Sequence, residues 1–234
     1  MQRINAVDPT AATGSAKYLP KATSRFFVQG ASHMEIEVAS SQPIDIYRLI
    51  KSCVTPRPIA WVTSIDAQGR VNLAPFSFFN AFGGAPPVVV FSPMRKSDGS
   101  KKDTLANVEA TGDFVVNAAV AHLAEEVNLS SKNLPHGESE VELTGLSLAP
   151  SKKVKTPRLA ESPLHMECVL RQVLHVGDRQ YSSNLVIGEV VLFHVDDSLL
   201  DTQGRIDPRK LKTIARLGGG YYCHTSDLFE MKRP

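Results

Sequence analysis

Residues 55–79 read T-P-R-P-I-A-W-V-T-S-I-D-A-Q-G-R-V-N-L-A-P-F-S-F-F, and the type of fold follows from this segment. The run 59–65 is rich in β-branched and aromatic residues, which predicts a strand. The residues D-A-Q-G at 66–69 predict a hairpin loop, after which 71–79 returns as a second strand. Pro75 lacks the amide hydrogen that a strand ladder needs, so we expect it at a sheet edge or a bulge.

The rest of the chain continues this β pattern. Similar patterns predict strands at 88–92, 114–117, 164–176 and 184–195, and helices beginning near Pro43, running from Asp103 to Gly112, and covering 118–129 and 208–216. Alternation slips within 164–176, which predicts a bulge. The run 184–195 is apolar on both faces around Gly188, which predicts a largely buried strand. Because strands and helices do not alternate regularly, we predict a mainly β barrel with short helices rather than a doubly wound sheet.

The composition is that of an ordinary globular protein, and it excludes several classes. The 234 residues are 42% hydrophobic and 21% charged, unlike collagen-like or acidic disordered chains. Lysine and arginine number 26 against 24 acidic residues. We therefore expect no nucleic-acid partner, because phosphate backbones select clustered excess basic charge. The longest apolar run, 88–91, is far shorter than the ~20 residues of a membrane helix, so no membrane is expected.

Residues 1–33 are predicted to form an N-terminal extension, and residues 34–234 the folded domain. The extension is basic, poor in acidic residues and without periodicity, which indicates a disordered segment or residues derived from cloning. A basic transit peptide is the alternative. Cys53, Cys168 and Cys223 are odd in number and far apart, which predicts a reducing compartment, here the cytoplasm.

Two segments carry candidate binding residues, and the first is the predicted strand pair. Asn72 and Ser77 place polar groups beside aromatic side chains. Together with backbone groups left unpaired near Pro75, they suit a flat heterocycle that has donors and acceptors at its edge. The alternative is an edge strand whose aromatic residues belong to the core.

The second segment is the basic loop 95–102, which opens onto the helix beginning at Asp103. A helix N-terminus presents unpaired amide hydrogens and a partial positive charge, which suits a phosphate. Arg95 and Lys102 would add charge-assisted hydrogen bonds, and Thr104 a hydroxyl. The alternative is a solvated loop capped by Asp103.

The usual catalytic and metal-binding motifs are absent from the sequence. It contains no G-x-G-x-x-G, G-x-x-x-x-G-K-[ST], H-E-x-x-H or G-x-S-x-G segment. Its seven histidines lack metal-ligand spacing, so we predict neither a catalytic side chain nor a metal site.

Eight short segments follow one another in a specific order. They are P-R-P-I-A-W-V-T-S (56–64), N-L-A-P-F-S-F-F (72–79), P-P-V-V-V-F-S (86–92), K-D-T-L-A-N (102–107), F-V-V-N (114–117), I-G-E-V-V (187–191), H-V-D-D (194–197) and R-L-G-G-G-Y-Y (216–222). From about Pro43 to the C-terminus, the chain thereby resembles the flavin reductase-like, FMN-binding split-barrel family. The resemblance implies a six-stranded Greek-key split β-barrel that forms a homodimer, with FMN near the subunit interface.

The resemblance also assigns candidate FMN contacts in three groups. The strand beside the isoalloxazine ring and ribityl chain contributes Ala60, Trp61, Thr63 and Ser64. The segment along the ring edge contributes Asn72, Ala74, Pro75, Phe76 and Ser77. The phosphate side contributes Ser92, Arg95, Lys102 and Thr104. Residues 216–222 are a further candidate for completing the pocket, in the same subunit or its partner.

The function that the resemblance implies is FMN-dependent electron transfer. The leading hypothesis is an NAD(P)H-dependent flavin reductase, in which NADH or NADPH gives a hydride to flavin N5. The electrons would pass to free flavin, a ferric chelate or a redox partner protein. A flavoredoxin-like electron carrier and a ferric reductase are alternatives. A barrel that binds another flat ligand or only a protein, without redox chemistry, is the alternative from a different class.

Overall fold

The computed structural model describes residues 34–96, 98–135 and 138–234. The predicted extension, residues 1–33, lies outside them, so the predicted boundary at Met34 stays a prediction. The chain divides into two units, Met1–Ala39 and Ser40–Pro234. The described part of the first unit is an exposed segment that enters a short 3₁₀ turn. The second unit contains the strands and α-helices named below.

The elements of the second unit are short, apart from two long strands. The strands are β1 (Ala60–Ile65), β2 (Val71–Phe76), β3 (Phe79–Gly84), β4 (Pro87–Phe91), β5 (Asp113–Ala118), β6 (Leu148–Ala149), β7 (Arg158–Leu159), β8 (Leu164–Val176), β9 (Ser183–Val195), β10 (Ile214–Arg216) and β11 (Tyr222–His224). The helices are α1 (Pro43–Cys53), α2 (Asp103–Thr111), α3 (Ala124–Leu129), α4 (Glu140–Thr144) and α5 (Pro208–Leu211). In the part of the chain that the structure describes, every helix is too short or too polar to cross a bilayer.

Seven strands form one antiparallel sheet in the order β2-β1-β5-β8-β9-β4-β3. Aromatic contacts connect distant strands of this order. The ring centres of Phe76 on β2 and Phe91 on β4 are 5.2 Å apart, and Phe91 lies 5.2 Å from Phe114 on β5. Because β2 and β4 stand near opposite ends of the order, the sheet must curl around a shared interior. The protein is therefore mainly β, with one large antiparallel sheet and a few short helices.

The predicted strand 71–79 is in fact two strands, so the sheet has one strand more than the predicted six. The chain leaves β2 after Phe76 and pairs again from Phe79, as β3, with β4 at the other edge of the sheet. Pro75 lies on the edge strand β2, opposite Trp61, as predicted. Because β2 is an edge strand, it pairs with β1 alone. The chain then crosses to the opposite edge of the sheet instead of continuing along β2.

Two hydrophobic cores lie on the two faces of β1, because successive side chains of a strand point to opposite sides. Ala60 and Val62 face the interior of the curled sheet with Phe76, Phe91 and Phe114. On the other face, a second core contains Ile59, Trp61, Leu73, Ala119, Val120, Leu123, Val127, Val141, Leu159 and Ile214. Both faces of β1 are consequently removed from solvent.

The predicted burial of 184–195 is wrong for half of the strand. On β9 the buried positions alternate from Asn184 to Val190, and beyond them Val191 and Phe193 are exposed. An antiparallel strand with one face on a core exposes the other, whatever its composition. The bulge predicted in β8 is confirmed by a register shift between Leu170 and Gln172, and a second shift lies between Glu167 and Cys168.

The predicted helix 208–216 is also shorter than expected. Helix α5 ends at Leu211 because Lys212 adopts a left-handed backbone with φ of +44°. The next residues, Ile214–Arg216, form β10 and pair with β11. Tertiary packing overrides helical periodicity here, since Ile214 is buried and its amide donates to the Ala119 carbonyl at 2.9 Å.

The buried histidine His165 on β8 gives the fold a predicted sensitivity to acid. The residue is 3% exposed, and Nε2 lies 2.7 Å from the Leu159 carbonyl. Burial lowers the pKa of His165 to about 4, outweighing that hydrogen bond; Arg158 and His194 act in the same direction and Glu167 opposes them. The folded state therefore resists protonation that the unfolded chain accepts near its ordinary pKa of 6.5.

We expect His165→Gln to flatten the loss of stability in acid. Below about pH 6.5 the unfolded wild-type chain gains a proton that the folded chain refuses until about pH 4, so stability falls as pH falls through this window. Between pH 7 and 5 His165 alone should contribute a loss of about 2 kcal/mol, so the variant should lose about that much less than wild type. Urea unfolding at both pH values measures it. The exposed His122→Gln is the control, and equal slopes for His165→Gln and wild type would contradict the prediction.

Candidate functional site

The N-terminus of α2 is the centre of the predicted phosphate side. Lys102 is the N-cap residue, with extended backbone angles, and its side chain does not cap the helix. This corrects the alternative in which Asp103 caps, because Asp103 is the first residue inside the helix. Thr104 follows at the next position and is buried. Helix α2 ends at Thr111, and Gly112 follows as the C-cap that terminates it, as predicted, since its φ of +77° favours glycine.

Lys102 differs from the two lysines near it in having no carboxylate partner among the described residues. Lys96 lies 3.3 Å from Asp103, and Lys101 pairs with Glu109. The ammonium of Lys102 instead lies 5.7 Å from the centre of the Phe76 ring. Burial lowers the pKa of Lys102, and the charge of Lys96 adds to this effect. A desolvated cation without a counter-ion is poised to bind an anion.

Two further polar atoms on the loop between β4 and α2 are buried and unpaired within the described residues. They are Ser92 Oγ, directly after β4, and Arg95 Nε. Arg95 also uses Nη1 to donate to the Gly99 carbonyl at 3.0 Å, which holds its side chain along the loop. Buried polar groups normally have partners, so unpaired donors here indicate a missing acceptor. An acceptor-rich, negatively charged phosphate fits this set.

The predicted ring-edge residues lie on β2 and just after it. Asn72 Nδ2 donates to Thr104 Oγ1 at 2.8 Å, which ties β2 to the N-terminus of α2. Ala74 and Pro75 are half-buried, whereas Phe76 is buried in the first core. Ser77 Oγ accepts a 3.4 Å hydrogen bond from Arg57 Nε. This segment therefore joins the phosphate side to Arg57, a residue that the predicted set omits.

The four predicted residues of β1 are all completely buried. Trp61 donates through Nε1 to Ser130 Oγ at 2.9 Å, and Thr63 donates to the Pro157 carbonyl at 2.7 Å, both on the side of the second core. Ala60 packs in the first core, and Ser64 Oγ accepts from Asn107 on α2. The structure thus places Trp61 and Thr63 on the opposite face of β1 from Phe76. Because successive side chains of a strand point to opposite faces, the sequence positions of these residues already predict this separation.

A cavity of about 330 Å³ lies near this region but does not coincide with it. Its lining shares only Asn72 with the predicted residues, and includes the carboxylates of Asp66, Asp103, Glu138 and Glu140. Burial raises the pKa of Glu140, although the Leu73 amide donates to its carboxylate. We place the candidate phosphate site at Ser92, Arg95 and Lys102, because an acidic lining repels phosphate.

The described residues contain no group of three or more His, Cys, Asp or Glu side chains arranged to hold a metal ion. His194 on β9 and the buried Glu167 on β8 are joined by a 2.5 Å contact. Backbone amides of Lys152 and Lys153 also donate to Glu167. These contacts give that carboxylate a structural role.

Comparison with known proteins defines the class to which this site belongs. Residues 52–210 match the family described as flavin reductase like domain, and the chain belongs to this flavin-binding family. The fold and the family predicted from the eight sequence segments are thereby confirmed at the level of the flavin reductase-like split barrel. The match covers both the β1–β2 hairpin and the N-terminus of α2.

Individual relatives are similar to this chain over most of their length. A protein of Halalkalibacterium halodurans is 42% identical over 190 residues, which are 80% of this chain and 90% of the relative. The structure is similar to nitrilotriacetate monooxygenase component B from Bacillus cereus, with 36% identity, a TM-score of 0.81, and coverage of 86% of this chain and 100% of that one. It is also similar to the 2-nitrobenzoate 2-nitroreductase NbaA of Pseudomonas fluorescens, with 33% identity, a TM-score of 0.76, and coverage of 86% and 96%.

Proposed function

We propose that the protein is an FMN-binding oxidoreductase, specifically an NAD(P)H-dependent flavin reductase. The observation that carries the proposal is that the segment from the end of β4 to the N-cap of α2 contains donors without a partner among the described residues, namely Ser92 Oγ, Arg95 Nε and the ammonium of Lys102. These donors match the terminal phosphate that distinguishes FMN from riboflavin. Family membership supports flavin as the ligand. The two similar structures, a monooxygenase component and a nitroreductase, support redox chemistry.

In this proposal the protein supplies binding and orientation. Lys102, Arg95 and Ser92 would hold the phosphate, with Thr104 adding a hydroxyl. The predicted ring-edge residues, Asn72 and Ala74 to Ser77, would border the isoalloxazine ring. When bound, the flavin would supply the hydride acceptor, N5, and the capacity to transfer electrons. Because that chemistry belongs to the cofactor, the proposal assigns no side chain an acid–base role.

The oligomeric state, the connectivity of the barrel and the cellular location are proposed on separate grounds. Large apolar side chains are exposed on three strands of the sheet: Phe82 on β3, Leu174 and Val176 on β8, and Phe193 on β9. Such exposure favours a protein partner, and a second copy of the chain is the partner that we propose. The Greek-key connectivity of the barrel belongs to the same proposal. Three free cysteines support a reducing, cytoplasmic location.

We expect the purified protein to be yellow and to lose this colour when NADH or NADPH is added without oxygen. Visible absorbance measures the change, and mass analysis of the extracted cofactor identifies FMN. Bleaching by a reduced partner protein alone would indicate an electron carrier instead. Reoxidation by a ferric chelate in preference to free flavin would indicate a ferric reductase. Protein that stays colourless and binds no added FMN would contradict the proposal.

A further inference from the structure

Arg57, which donates to Ser77, lies together with two other cationic residues, and we call Lys51, Arg57 and Arg216 the cationic cluster. Lys51 belongs to α1, and Arg216 is the last residue of β10. Backbone contacts fasten them together: Arg57 and Arg216 exchange amide-to-carbonyl hydrogen bonds of 2.9 and 2.8 Å, and Arg57 Nη1 donates to the Lys51 carbonyl. The fold therefore brings three positive charges into one place.

The cationic cluster has no counter-ion among the described residues. None of its three side chains pairs with a carboxylate, although Arg48 on the same helix pairs with Asp45 at 3.4 Å. Burial lowers the pKa of Lys51, and the charges of Arg216, Arg57 and Arg48 lower it further. Burial and Arg216 lower the pKa of Arg57 in the same way. Cations that repel one another without compensation are electrostatically suited to bind an anion.

Within the cluster, Arg57 is a structural residue. It is 3% exposed, and its guanidinium donates to the carbonyls of Lys51, Val54 and Leu217 and to Ser77 Oγ. These contacts use almost all of the N–H donors of the guanidinium. Arg57 thus fixes the geometry around Ser77 and leaves little capacity for a ligand.

Lys51 and Arg216, in contrast, keep donors available. Both are partly exposed, and within the described ranges the side chain of Arg216 makes a single hydrogen bond, 3.2 Å to the Gly219 carbonyl. Each cation also lies over an aromatic ring. Lys51 Nζ is 4.0 Å from the centre of Tyr47, and Arg216 Cζ is 4.2 Å from the centre of Tyr222. Cation–π contacts hold both groups in place without neutralising them.

Three aromatic residues, Tyr47, Tyr181 and Phe78, lie beside these cations, and we call them the aromatic wall. Tyr47 stacks on Tyr181 with ring centres 4.8 Å apart and lies 6.3 Å from Phe78. Tyr181 lies in the β8–β9 turn and has a φ of +68°, a left-handed conformation that bulky residues rarely adopt. Backbone strain of this kind is concentrated at functional sites. Phe78 directly follows Ser77, so the aromatic wall adjoins the candidate ring edge.

We propose that Lys51 and Arg216 bind the anionic group of a planar aromatic co-substrate that exchanges electrons with the flavin. This inference rests on the proposed function for the flavin itself. The aromatic wall would hold the planar part, while the two cations would bind a phosphate or a carboxylate. Two sources share this chemistry: a phosphate of a nicotinamide dinucleotide, and the carboxylate of an aromatic acid.

Binding measurements on Lys51→Met and Arg216→Met test the proposal without relying on turnover. Isothermal titration calorimetry of the FMN-supplemented protein uses NADP⁺, NAD⁺ and benzoate as probes, with benzamide as the uncharged partner of benzoate. We expect each variant to weaken the preferred anionic probe about tenfold or more, as the loss of a charge-assisted hydrogen bond does. Affinity for FMN should change less than about threefold, because the side-chain contacts of these residues are with Tyr47, Tyr222 and Gly219 rather than with the phosphate side.

Two sets of controls make this test specific. The exposed pair Lys132→Met and Arg233→Met removes the same charges elsewhere and should leave probe affinity unchanged. Lys51→Arg and Arg216→Lys retain charge and should recover part of the affinity, which excludes misfolding as the cause. Preference for NADP⁺ or NAD⁺ identifies a dinucleotide, and preference for benzoate over benzamide identifies an aromatic acid.

The outcomes separate this proposal from the proposed function. If the protein binds no FMN, the flavin proposal fails, and titration of the flavin-free protein still measures the anion site. The anion site is overturned if none of the three anionic probes binds. It is also overturned if the cluster variants bind the preferred probe as tightly as wild type. A parallel loss of FMN and probe affinity would assign the two cations to the flavin instead, and overturns it too.

Discussion

Lys102→Ala is expected to weaken FMN binding roughly ten- to a hundredfold and to change riboflavin binding by less than about threefold. The two ligands share the ring and the ribityl chain, and only FMN carries the phosphate. The variant removes one charge-assisted hydrogen bond, worth about 1.5–3 kcal/mol. Titration of flavin fluorescence against the flavin-free protein gives both dissociation constants.

The expected size of this effect follows from the surroundings of Lys102. Its ammonium is already largely removed from water over the Phe76 ring and has no carboxylate partner in the described residues, so phosphate binding costs little further desolvation of the lysine. By the same reasoning, Lys102→Met should leave the flavin-free protein at least as stable as wild type. A thermal melt without flavin measures this and separates lost binding from lost folding.

Lys101→Ala is the matched control for this prediction. Lys101 precedes Lys102 directly but pairs with Glu109 on the outside of α2, so its loss should leave both flavin affinities nearly unchanged. If Lys102→Ala weakens FMN and riboflavin equally, the phosphate does not lie at Lys102. If both lysine variants weaken FMN binding equally, the affinity reflects general attraction by positive charge and not a defined contact between Lys102 and the phosphate.

Much of the fold was predictable because local signals and tertiary structure agree. The β1–β2 hairpin follows from β-branched residues around D-A-Q-G, and α2 follows from its periodicity and from Gly112 at its end. Pro75 at a sheet edge follows from its missing amide hydrogen. At all these positions the chemistry of a few neighbouring residues determines the conformation.

Other features depend on contacts that no local pattern contains. The break between β2 and β3 reflects the crossing to the opposite sheet edge, and β10 reflects the burial of Ile214. The indole of Trp61 is completely buried and donates to Ser130, a residue 69 positions along the chain, and no local pattern predicts this contact. The cationic cluster joins α1 to β10, which are distant in sequence, so only the folded chain shows it.

The second large effect is expected at Gly188 on β9, where alanine should destabilise the protein by about 1–3 kcal/mol or more. A Cβ at this position would lie 2.8 Å from Phe114 Cε1, closer still to Cζ, and 3.5 Å from Cys168 Cβ. Phe114 is completely buried and packs against Phe91, which packs against Phe76. Thermal unfolding should show a fall of about 3–10 °C.

Two comparisons separate the steric clash from the loss of stability that replacing any strand glycine would cause. Gly84→Ala is the control, because a Cβ there meets nothing within 4 Å, and it should leave the melting temperature nearly unchanged. Phe114→Leu shortens the opposing side chain, so Gly188→Ala should cost at least about 1 kcal/mol less in that background. Equal costs in both backgrounds would contradict the steric explanation. Because Phe76 ends this aromatic row and lies beneath Lys102, the same packing also supports the candidate phosphate site.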